Sequence, residues 1–497
     1  MPSLASLGLT LFCLLGHTVS QSFQSTSRTV LDRGPSGLNL SPGAELYVAN
    51  KDGKFDTTIA QRWSDFQNPT FLGIVVVANE NDIINTIKFA TKNKIPFLTL
   101  GGTHGYSTTL SKVQNGIAID LRKSFISVSV NSAANTATVG GAALIQDLVN
   151  AVHGAGKQTP TGTCPCVGIL GAALGGGIGR LQGMHGLMSD NIISARMVLA
   201  NGNAVTVSAT ENKDLFWAIR GAGHNFGVVT QATIKVYPQQ NNGNHVNGDL
   251  IFTADKLEAF YTLLNAQTPL PAPLSIFSLF VKLDPAAAPV ILVNMVYAGP
   301  EAEGRAIIAK FSALGTVSTL VVVVPWNKLS DTAALGLGNA VCARGNRKNM
   351  FGVGLKTINI VAMRDIFNTF SEMLKNYPDT VGSAITIESF SVQGVQAFSD
   401  ASSAYPHRDI NNHVLLNMAY SDASIDNAIT NYSMAIRAKF QANTGFPSLK
   451  TYMNYGRGDE PNAVLYGQSK LQTLGVAKKK YDPSGVFNAY HAIPACN

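Results

Sequence analysis

Charged residues and cysteines are scarce in this sequence, and each scarcity excludes a class of protein. Charged residues make up 13% of the 497 residues and the net charge is only +7, so neither a nucleic-acid-binding surface nor a charged disordered tail is indicated. The densest basic run is Lys478-Lys479-Lys480, and the Tyr-Asp-Pro that follows favours a solvated helix end. Five cysteines are too few for a disulfide scaffold at this length.

Long apolar runs are also lacking, except at the start of the chain. Residues 1–20 combine an apolar run with small polar residues and a plausible cleavage point at Ser20, although no Lys or Arg precedes the run. A membrane anchor is the alternative, but the run is shorter than the ~20 residues that a spanning helix needs. We therefore predict a signal peptide, no membrane anchor, and a protein that is secreted or enters the secretory-pathway lumen. Two glycosylation sequons, at Asn39 and Asn431, agree with this route.

Four cysteines remain after the predicted signal peptide: Cys164, Cys166, Cys342 and Cys496. Cys164 and Cys166 are too close in sequence for an ordinary bridge within the pair, and no second Cys or His pair lies at zinc spacing. No metal site is expected. Cys164 and Cys166 are left as packing residues or reactive thiols, and the disulfide pairing of Cys166, Cys342 and Cys496 is left open.

Apolar residues and glycine are abundant by contrast. The sequence is 45% hydrophobic and contains 46 glycines, a composition typical of a globular protein with many tight turns. Its length exceeds that of one ordinary core and predicts two or three domains.

The first half of the chain is predicted to alternate short strands with helices. Gly73 to Leu100 has the pattern of a strand, a helix capped by Asn79 or Asn81, and a second strand. Further strands follow, then a helix from about Leu144 to Ala155. Asn201-Gly202 marks a hairpin.

The second half has a different pattern from about residue 239. Five strand-like runs, SIFSLFVKL, PVILVNMVYAG, TLVVVVPW, AITIESFSV and HVLLNMAYS, alternate with helical ones. The clearest helix has an apolar stripe from Ile366 to Tyr377 and stops before Pro378. We predict a sheet covered by helices that encloses a substrate.

Two glycine-rich segments are the first candidates for a binding site. Gly101-Gly102-Thr103-His104-Gly105 follows a predicted strand, where glycine permits close approach to a phosphate or a ring. A tight turn with a surface histidine explains the same pattern equally well. The second segment, Gln158 to Ile192, contains dense glycines that match neither standard nucleotide fingerprint. Because so many of its residues have no side chain, we infer that a large flat ligand lies against the backbone of this segment.

Four segments in a set order make the comparison specific. GGTHGYST, TGTCPCVGILGAALGGGIG, DLFWAIRGAGHNFGVVT and YGQSKLQTLGVAKKKYDPSGVF together closely resemble the berberine-bridge-enzyme-like flavoproteins of the vanillyl-alcohol-oxidase superfamily. The resemblance covers nearly the whole mature chain. It implies an α+β fold with a two-part FAD-binding domain of the PCMH type and a substrate domain with an antiparallel sheet covered by helices.

The resemblance also implies roles for individual residues. His104 matches the histidine bonded to the 8α-methyl of FAD, and Cys164 matches the cysteine bonded to C6, so a bicovalent FAD is expected. Val167 matches a gate position where a small residue accompanies dioxygen access. Cys166 stands where relatives often carry Thr and receives no role beyond packing. The expected cofactor-binding residues are Gly101, Gly102, Thr103, His104, Gly105, Cys164, Val167, Gly168, Gly175, Gly176, Gly177, Val228 and Val229.

The same resemblance gives candidates for catalysis. Tyr452 and Asn454 match a Tyr-x-Asn/Gln pattern in which the tyrosine is the base; as a strand, this segment would place both on one face. A phenol must have a lowered pKa to take a proton near neutrality, and Asn454 is the candidate donor. The alternative is a pair of amphipathic core residues.

Substrate residues are sought in the second half. His413 and Asn417 share a strand face and are candidates for the substrate cavity, although such residues are more often satisfied core or surface groups. Glu388 and Gln393 are weaker candidates.

The predicted domains are a signal peptide at 1–20, a lead-in at 21–66, an FAD-binding domain at 67–238, a substrate domain at 239–445 and a C-terminal berberine-bridge-type segment at 446–497 that returns to the FAD domain. The expected activity is that of an oxidase: a C–H bond next to O or N in a small molecule or sugar gives a hydride to FAD, and O2 is reduced to H2O2. A cyclase built on the same fold, acting in secondary metabolism, is the alternative. A flavin-binding protein without activity is a third. Substrate identity and oligomeric state are left open.

Overall fold

The structure is a computed structural model that describes residues 37–55 and 57–496. The predicted signal peptide, with Cys13, lies outside the described residues, as does most of the predicted lead-in.

The first sheet has four strands and carries the predicted strand-helix-strand unit. Its elements are β1 (Glu45–Val48), β2 (Phe71–Val76), the helix Glu80–Lys92, β3 (Phe97–Leu100) and β4 (Gly116–Asp120). The strand order is β1-β2-β4-β3, and β4 pairs in parallel with both β2 and β3. Asn79 caps the helix by accepting hydrogen bonds from the N–H groups of Asn81 and Asp82. The predicted unit and its cap are confirmed, and β3 ends where the segment Gly101 to Gly105 begins.

The second sheet has five antiparallel strands in the order β5-β6-β10-β8-β9. Its strands are β5 (Val128–Asn131), β6 (Thr136–Gly140), β8 (Ile192–Val198), β9 (Ala204–Ser208) and β10 (Val228–Lys235). A separate short pair joins β7 (Lys157–Gln158) to β11 (Tyr237–Pro238). The helices of this region are Ile145–Gly154, Ile169–Ala173, Gln182–His185 and Lys213–Ala222. Gly202 has a φ of +80° between β8 and β9, which confirms the predicted hairpin turn.

The third sheet has seven antiparallel strands, in the order β15-β12-β14-β13-β17-β18-β16. They are β12 (Asn244–Phe252), β13 (Leu274–Val281), β14 (Val290–Tyr297), β15 (Ser318–Pro325), β16 (Arg347–Leu355), β17 (Ala384–Phe390) and β18 (Asn412–Tyr420). The five predicted strands are confirmed. The sequence analysis missed β12 and β16, because buried polar residues such as Asn247, Asp249 and Asn349 interrupt their apolar patterns.

Helices cover one face of the third sheet. They are Leu257–Ala266, Glu301–Ser312, Ile360–Asn376 and Asp426–Gln441. In the helix Ile360–Asn376 the predicted stripe is buried from Ile366 to Leu374 and packs in one cluster with Val414 and Leu416 of β18. Burial of each large apolar side chain contributes about 1.5–3 kcal/mol. Because the period of a strand is two, the alternate residues of β18 point to the opposite face.

The short helices Leu329–Thr332, Leu337–Ala340 and Gln393–Gln396 lie in loops of the third sheet, and the helices Asn462–Tyr466 and Leu471–Tyr481 follow it. The last helix ends before Pro483, and its residues Leu474 and Ala477 join the apolar cluster of the second sheet. The expectation that Lys478 to Lys480 form a solvated helix end is wrong for Lys478. Its ammonium is buried, 2.6 Å from the carboxylate of Asp482, and also donates to two carbonyl groups. Among the described residues, no helix combines the length and apolarity required to span a bilayer.

Candidate active site

A cavity of about 510 Å³ lies between the loops of the first two sheets and one face of the third. Loop residues on one wall include Gly101 to Gly105, Cys164, Val167, Gly168, Val228 and Val229. Strand residues on the other wall include Phe277 of β13, Glu388 of β17, and Leu415 and Asn417 of β18. The segment that contains Tyr452 and Asn454 also lines the cavity.

Two glycines allow the two cofactor-binding loops to touch. A Cβ built on Gly102 would lie 2.3 Å from the backbone nitrogen of Gly168, and one built on Gly168 would lie 2.8 Å from that of Gly102. Neither position can therefore carry a side chain without moving the other loop. Between them, Thr103 has a φ of +55°, a strained conformation for a β-branched residue. The guanidinium of Arg344 binds the Thr103 hydroxyl and the Gly102 carbonyl and so holds this conformation.

His104 lies at the cavity wall with its ring stacked on Trp63, at a centroid distance of 4.3 Å. Burial, followed by the positive charges of Arg344 and Lys348, lowers the pKa of His104 to about 3. The imidazole is therefore neutral at physiological pH. A neutral imidazole keeps the free lone pair that a nucleophile requires.

Cys164 lies beside this histidine. Its Sγ is 3.9 Å from Nε2 of His104, and the thiol is free. Burial raises the pKa of Cys164 to about 11, so the thiol form predominates in the protein alone. A hydrogen bond from the backbone of Cys166 acts in the opposite direction, but burial outweighs it.

Cys166 forms a disulfide with Cys342, at an S–S distance of 2.09 Å. The expectation that Cys166 only packs is therefore wrong. The two cysteines are 176 residues apart in the sequence, and no local pattern indicates such a pairing. The sulfur of Cys166 also lies 3.4 Å from that of Cys164, so the disulfide lies beside the free thiol.

The disulfide anchors a segment that covers the cavity. We call residues 326–345 the covering segment. Trp326, Leu329, Leu337 and Val341 of this segment line the cavity. At its middle, the carboxylate of Asp249 accepts the N–H groups of Ala334 and Leu335 at 2.9 and 3.2 Å. At its end, Arg344 binds the loop that precedes His104.

The three consecutive glycines do not line the cavity. A Cβ on Gly175 would lie 2.1 Å from Oδ1 of Asn454, one on Gly176 would meet the ring of Tyr405 at 2.5 Å, and one on Gly177 would meet Met188 at 2.5 Å. The expectation that Gly175 to Gly177 make room for the cofactor is corrected: the space beside them holds protein side chains. The small size of Gly175 instead lets Asn454, in the Tyr452 segment, approach the glycine-rich loop.

Tyr452 and Asn454 meet in a helical turn. A 3-10 helix spans Met453–Tyr455 and Tyr452 immediately precedes it, so the predicted strand is wrong. The amide of Asn454 nevertheless donates to the Tyr452 hydroxyl oxygen at 2.6 Å, and the N–H of Gly177 donates to the same atom at 3.0 Å. Burial raises the pKa of Tyr452 to about 12 despite these donors. Asn454 therefore donates to Tyr452 as predicted, but the pKa of Tyr452 is raised and not lowered in the protein alone.

Glu388 is a second acid-base group in the cavity wall. Its carboxylate accepts a hydrogen bond from the Tyr455 hydroxyl at 2.7 Å. Burial raises the pKa of Glu388 to about 7, so the group can exchange a proton near neutrality. Gln393, the companion candidate, is exposed and donates to the Leu270 carbonyl. Its placement as a pocket residue is wrong.

His413 and Asn417 do share a face of β18, as predicted, but they occupy different places. Asn417 lines the cavity, and its amide oxygen has no partner among the described residues. His413 lies behind Tyr452, with the ring centroids 5.7 Å apart, and is not among the lining residues. Burial lowers the pKa of His413 to about 3. Its role is therefore packing against Tyr452 and not contact with the cavity.

Sequence reasoning missed Trp63, Tyr455 and Arg180 as cavity residues. Tyr455 belongs to the segment that contains Tyr452 and Asn454, but a strand would place its side chain on the face opposite to theirs. Arg180 follows the dense glycines directly, and a charged residue in so apolar a stretch is the signal that could have identified it.

The residues present fit a flavin. Paired glycines bring two backbone loops together with no side chains between them, and a neutral imidazole stands 3.9 Å from a free thiol. The 8α-methyl and C6 belong to the same benzenoid ring of the isoalloxazine, and the imidazole and the thiol are the two nucleophiles that would hold it there. Polar groups that converge in a mostly apolar cavity are typical of a cofactor or substrate site.

Comparison with known proteins agrees with this chemistry. The model of the FAD binding domain matches residues 71–208, and the model described as berberine and berberine like matches residues 451–494. The FAD-linked oxidoreductase azaL of Aspergillus niger is 36% identical over 96% of this chain and 98% of its own length. The FAD-linked oxidoreductase OXR1 of Pyricularia oryzae is 38% identical over 88% of this chain and 86% of its own.

Solved structures share the fold at lower identity. BBE-like 1 of Physcomitrella patens superposes with a TM-score of 0.78 at 23% identity, covering 92% of this chain and 98% of its own. Glucooligosaccharide oxidase from Acremonium strictum, described with a 6-S-cysteinyl, 8α-N1-histidyl FAD, has a TM-score of 0.77 at 19% identity and covers 95% and 99%. These two similarities concern the fold alone.

Proposed function

Because the chain belongs to the berberine-bridge-enzyme-like family of FAD-linked oxidoreductases, we propose that it is an oxidase that removes a hydride from a C–H bond next to oxygen or nitrogen. The proposed donor is a small molecule or sugar, and the proposed acceptor of the electrons is O2, which gives H2O2. A bound FAD supplies hydride acceptance and reoxidation.

The observation that carries the proposal is the juxtaposition of His104 and Cys164 at the cavity wall. A neutral imidazole and a free thiol 3.9 Å apart are suited to bicovalent attachment of FAD. The glucooligosaccharide oxidase that shares this fold carries such a linkage. The remaining proposed contacts come from the loop backbones of Gly101 to Gly105, from Gly168, and from Val228 and Val229.

Tyr452 is the proposed base. Its hydroxyl lines the cavity and receives two hydrogen bonds that stabilise a phenolate, from Asn454 and Gly177. Burial opposes the phenolate and raises the pKa to about 12, so ionisation has to accompany binding. Glu388 supports proton transfer as a second acceptor, because its pKa of about 7 lies near neutrality and Tyr455 orients its carboxyl.

Val167 is proposed to admit O2. It lies between the disulfide cysteine Cys166 and Gly168 and lines the cavity. Its side chain is smaller than Leu by one methylene, which leaves a passage for a small gas molecule. Val167→Leu should slow reoxidation by O2 while leaving anaerobic reduction unchanged.

A panel of alcohols, amines and oligosaccharides, read by anaerobic bleaching of the flavin, tests the oxidase proposal. Bleaching by at least one donor class, followed by recovery of colour and release of peroxide on admission of O2, is the expected result. A purified protein without flavin would overturn it. Turnover without oxygen uptake or peroxide would favour the cyclase alternative.

Passage through the secretory pathway is proposed from the predicted signal peptide and the two sequons. Asn39 and Asn431 are both exposed. A mass decrease on endoglycosidase treatment, absent after Asn39→Gln and Asn431→Gln, is the expected result. An unglycosylated product in the cytosol of the native host would contradict this proposal.

A further inference from the structure

Arg180 reaches from the glycine-rich loop into the wall of the cavity, on the side of the third sheet. Its guanidinium donates to Oγ of Ser275 at 3.1 Å and to Oδ1 of Asn294 at 2.8 Å. Its central carbon lies 4.3 Å from the ring centroid of Phe277. Phe277 lines the same cavity. The cation is therefore held in place by two neutral acceptors and one aromatic ring.

No carboxylate of the described residues lies within 4.0 Å of the Arg180 guanidinium. The hydrogen bonds to Ser275 and Asn294 use two of its five N–H groups. Asp249, the carboxylate behind Asn294, already accepts from Asn247, Asn294 and two backbone N–H groups. It is therefore not available to pair with Arg180.

Arg408 is a buried arginine that has a carboxylate partner. It forms a two-pronged ion pair with Asp190, at 2.7 and 2.9 Å, and both side chains are at most 7% exposed. A buried charge without such a counterion is costly. Arg180 has no such ion pair, although the charges of Glu388 and Asp249 act on it from beyond 4.0 Å.

We propose that Arg180 binds an anionic oxygen of the substrate, so that the substrate of this oxidase is an acid: a carboxylate, or a phenol or enol acidic enough to ionise. The proposal rests on the proposed function and specifies its substrate class. A guanidinium has the planar fork that matches such oxygens. The unpaired amide oxygen of Asn417 in the same cavity can accept a hydrogen bond from an O–H or N–H elsewhere on the substrate.

Titration of the oxidised holoenzyme with benzoate and with benzamide tests the proposal. The two probes have nearly the same shape, and only benzoate is charged. Binding is followed by the change in flavin absorbance, near pH 6, where the carboxyl of Glu388 is largely protonated because its pKa is about 7. Benzoate should bind at least ~10-fold more tightly than benzamide, which corresponds to about 1.4 kcal/mol.

Arg180→Met should weaken benzoate binding by ~10- to 100-fold and leave benzamide binding unchanged, since a charged hydrogen bond is lost. Arg180→Lys keeps the charge and should retain part of the preference. Arg305→Met, at an exposed arginine paired with Glu301, is the matched control and should bind both probes as the wild type does. Where Arg180→Met fails to hold flavin, Arg180→Gln serves as the neutral variant, because its amide can still donate to one acceptor.

Equal binding of the two probes to the wild type, or an equal loss of both in the neutral variant, would overturn the proposal. So would a shift of the flavin reduction potential in the neutral variant with an unchanged preference for benzoate, because Arg180 would then act on the cofactor. A different result would contradict the oxidase proposal. A flavin that no donor bleaches contradicts it, while the titration stays readable because it uses the flavin only as a dye.

Discussion

Burial dominates the protonation of the titratable side chains around the cavity. It lowers the pKa of His104 to about 3 and raises those of Glu388 and Tyr452 to about 7 and about 12. Each shift favours the neutral form of the group. The cavity therefore presents a neutral imidazole, a neutral phenol and a carboxyl group whose pKa lies near neutrality, beside the guanidinium of Arg180.

Tyr452→Phe tests the proposed base. Removal of the hydroxyl should lower the rate of anaerobic flavin reduction by ~10²- to 10⁴-fold, because general-base catalysis contributes about that factor. Flavin content should not change. Stopped-flow absorbance with the best donor of the panel measures the rate. Tyr432→Phe, at a tyrosine hydrogen-bonded to Glu372 outside the cavity, is the control, and a Tyr452→Phe rate equal to that of the control would contradict the assignment.

Glu388→Gln tests the pKa of the buried carboxyl through stability. A folded-state pKa of about 7, above the ordinary 4.5, means that the folded protein binds this proton more tightly than the unfolded chain. Glu388 therefore costs no stability below about pH 4.5, and its cost grows as the pH rises to about 7, to on the order of 3 kcal/mol. Above that the cost is constant.

Thermal midpoints of wild type and Glu388→Gln, compared from about pH 5 to about pH 8, give the readout. The thermal midpoint of Glu388→Gln should rise relative to that of the wild type as the pH rises. A difference that does not change with pH would show that the carboxyl is not buried as described. Glu372→Gln is the surface control, since Glu372 is exposed and accepts a hydrogen bond from the half-buried Tyr432.

At the scale of elements, the covering segment depends on one covalent link. The Cys166–Cys342 disulfide closes a loop of 176 residues, and such links typically contribute about 2–4 kcal/mol. Cys342→Ser should therefore lower the thermal midpoint, and Cys166→Ser should lower it equally. Cys496→Ser, at a free cysteine, is the matched control.

Differential scanning calorimetry with and without a reductant measures the effect of the disulfide. Reductant should lower the midpoint of the wild type and of Cys496→Ser but not that of Cys342→Ser. If all three responded alike, the disulfide would not be the link that holds the covering segment.

Two of the three lysines in the helix Leu471–Tyr481 lie in contrasting surroundings. Lys478 is buried with Asp482, whereas Lys480 pairs with Asp214 at the surface. Lys478→Met should cost about 3–5 kcal/mol, because it leaves a buried carboxylate unpaired. Lys480→Met should cost at most about 1 kcal/mol. Thermal midpoints of the two variants give the comparison, and equal midpoints would contradict the burial of Lys478.

At the scale of the whole molecule, the cavity is built from two parts of the chain with different sequence signals. Glycine-rich turns after short strands identified the loop wall, and His104 and Cys164 were found there by motif. Alternation along β18 correctly placed Asn417 toward the cavity, whereas His413 on the same face lies behind Tyr452. Local patterns were sufficient to place these residues, because each position is set by the strand or loop that carries the residue.

Contacts between distant elements could not be predicted in the same way. The pairing of Cys166 with Cys342, the burial of Lys478 and the reach of Arg180 toward Ser275 and Asn294 all depend on how separate elements pack. The turn at Tyr452 was misassigned because close packing on Gly175 and Gly177, and not local periodicity, sets its conformation.

Peptide mapping of the acid-precipitated protein by mass spectrometry tests whether FAD is attached at two residues. We expect one FAD that survives denaturation and joins the peptides of His104 and Cys164, with one link lost in His104→Ala or Cys164→Ala and both lost in the double variant. Release of the flavin from the wild type on denaturation, or attachment at any other residue, would contradict it.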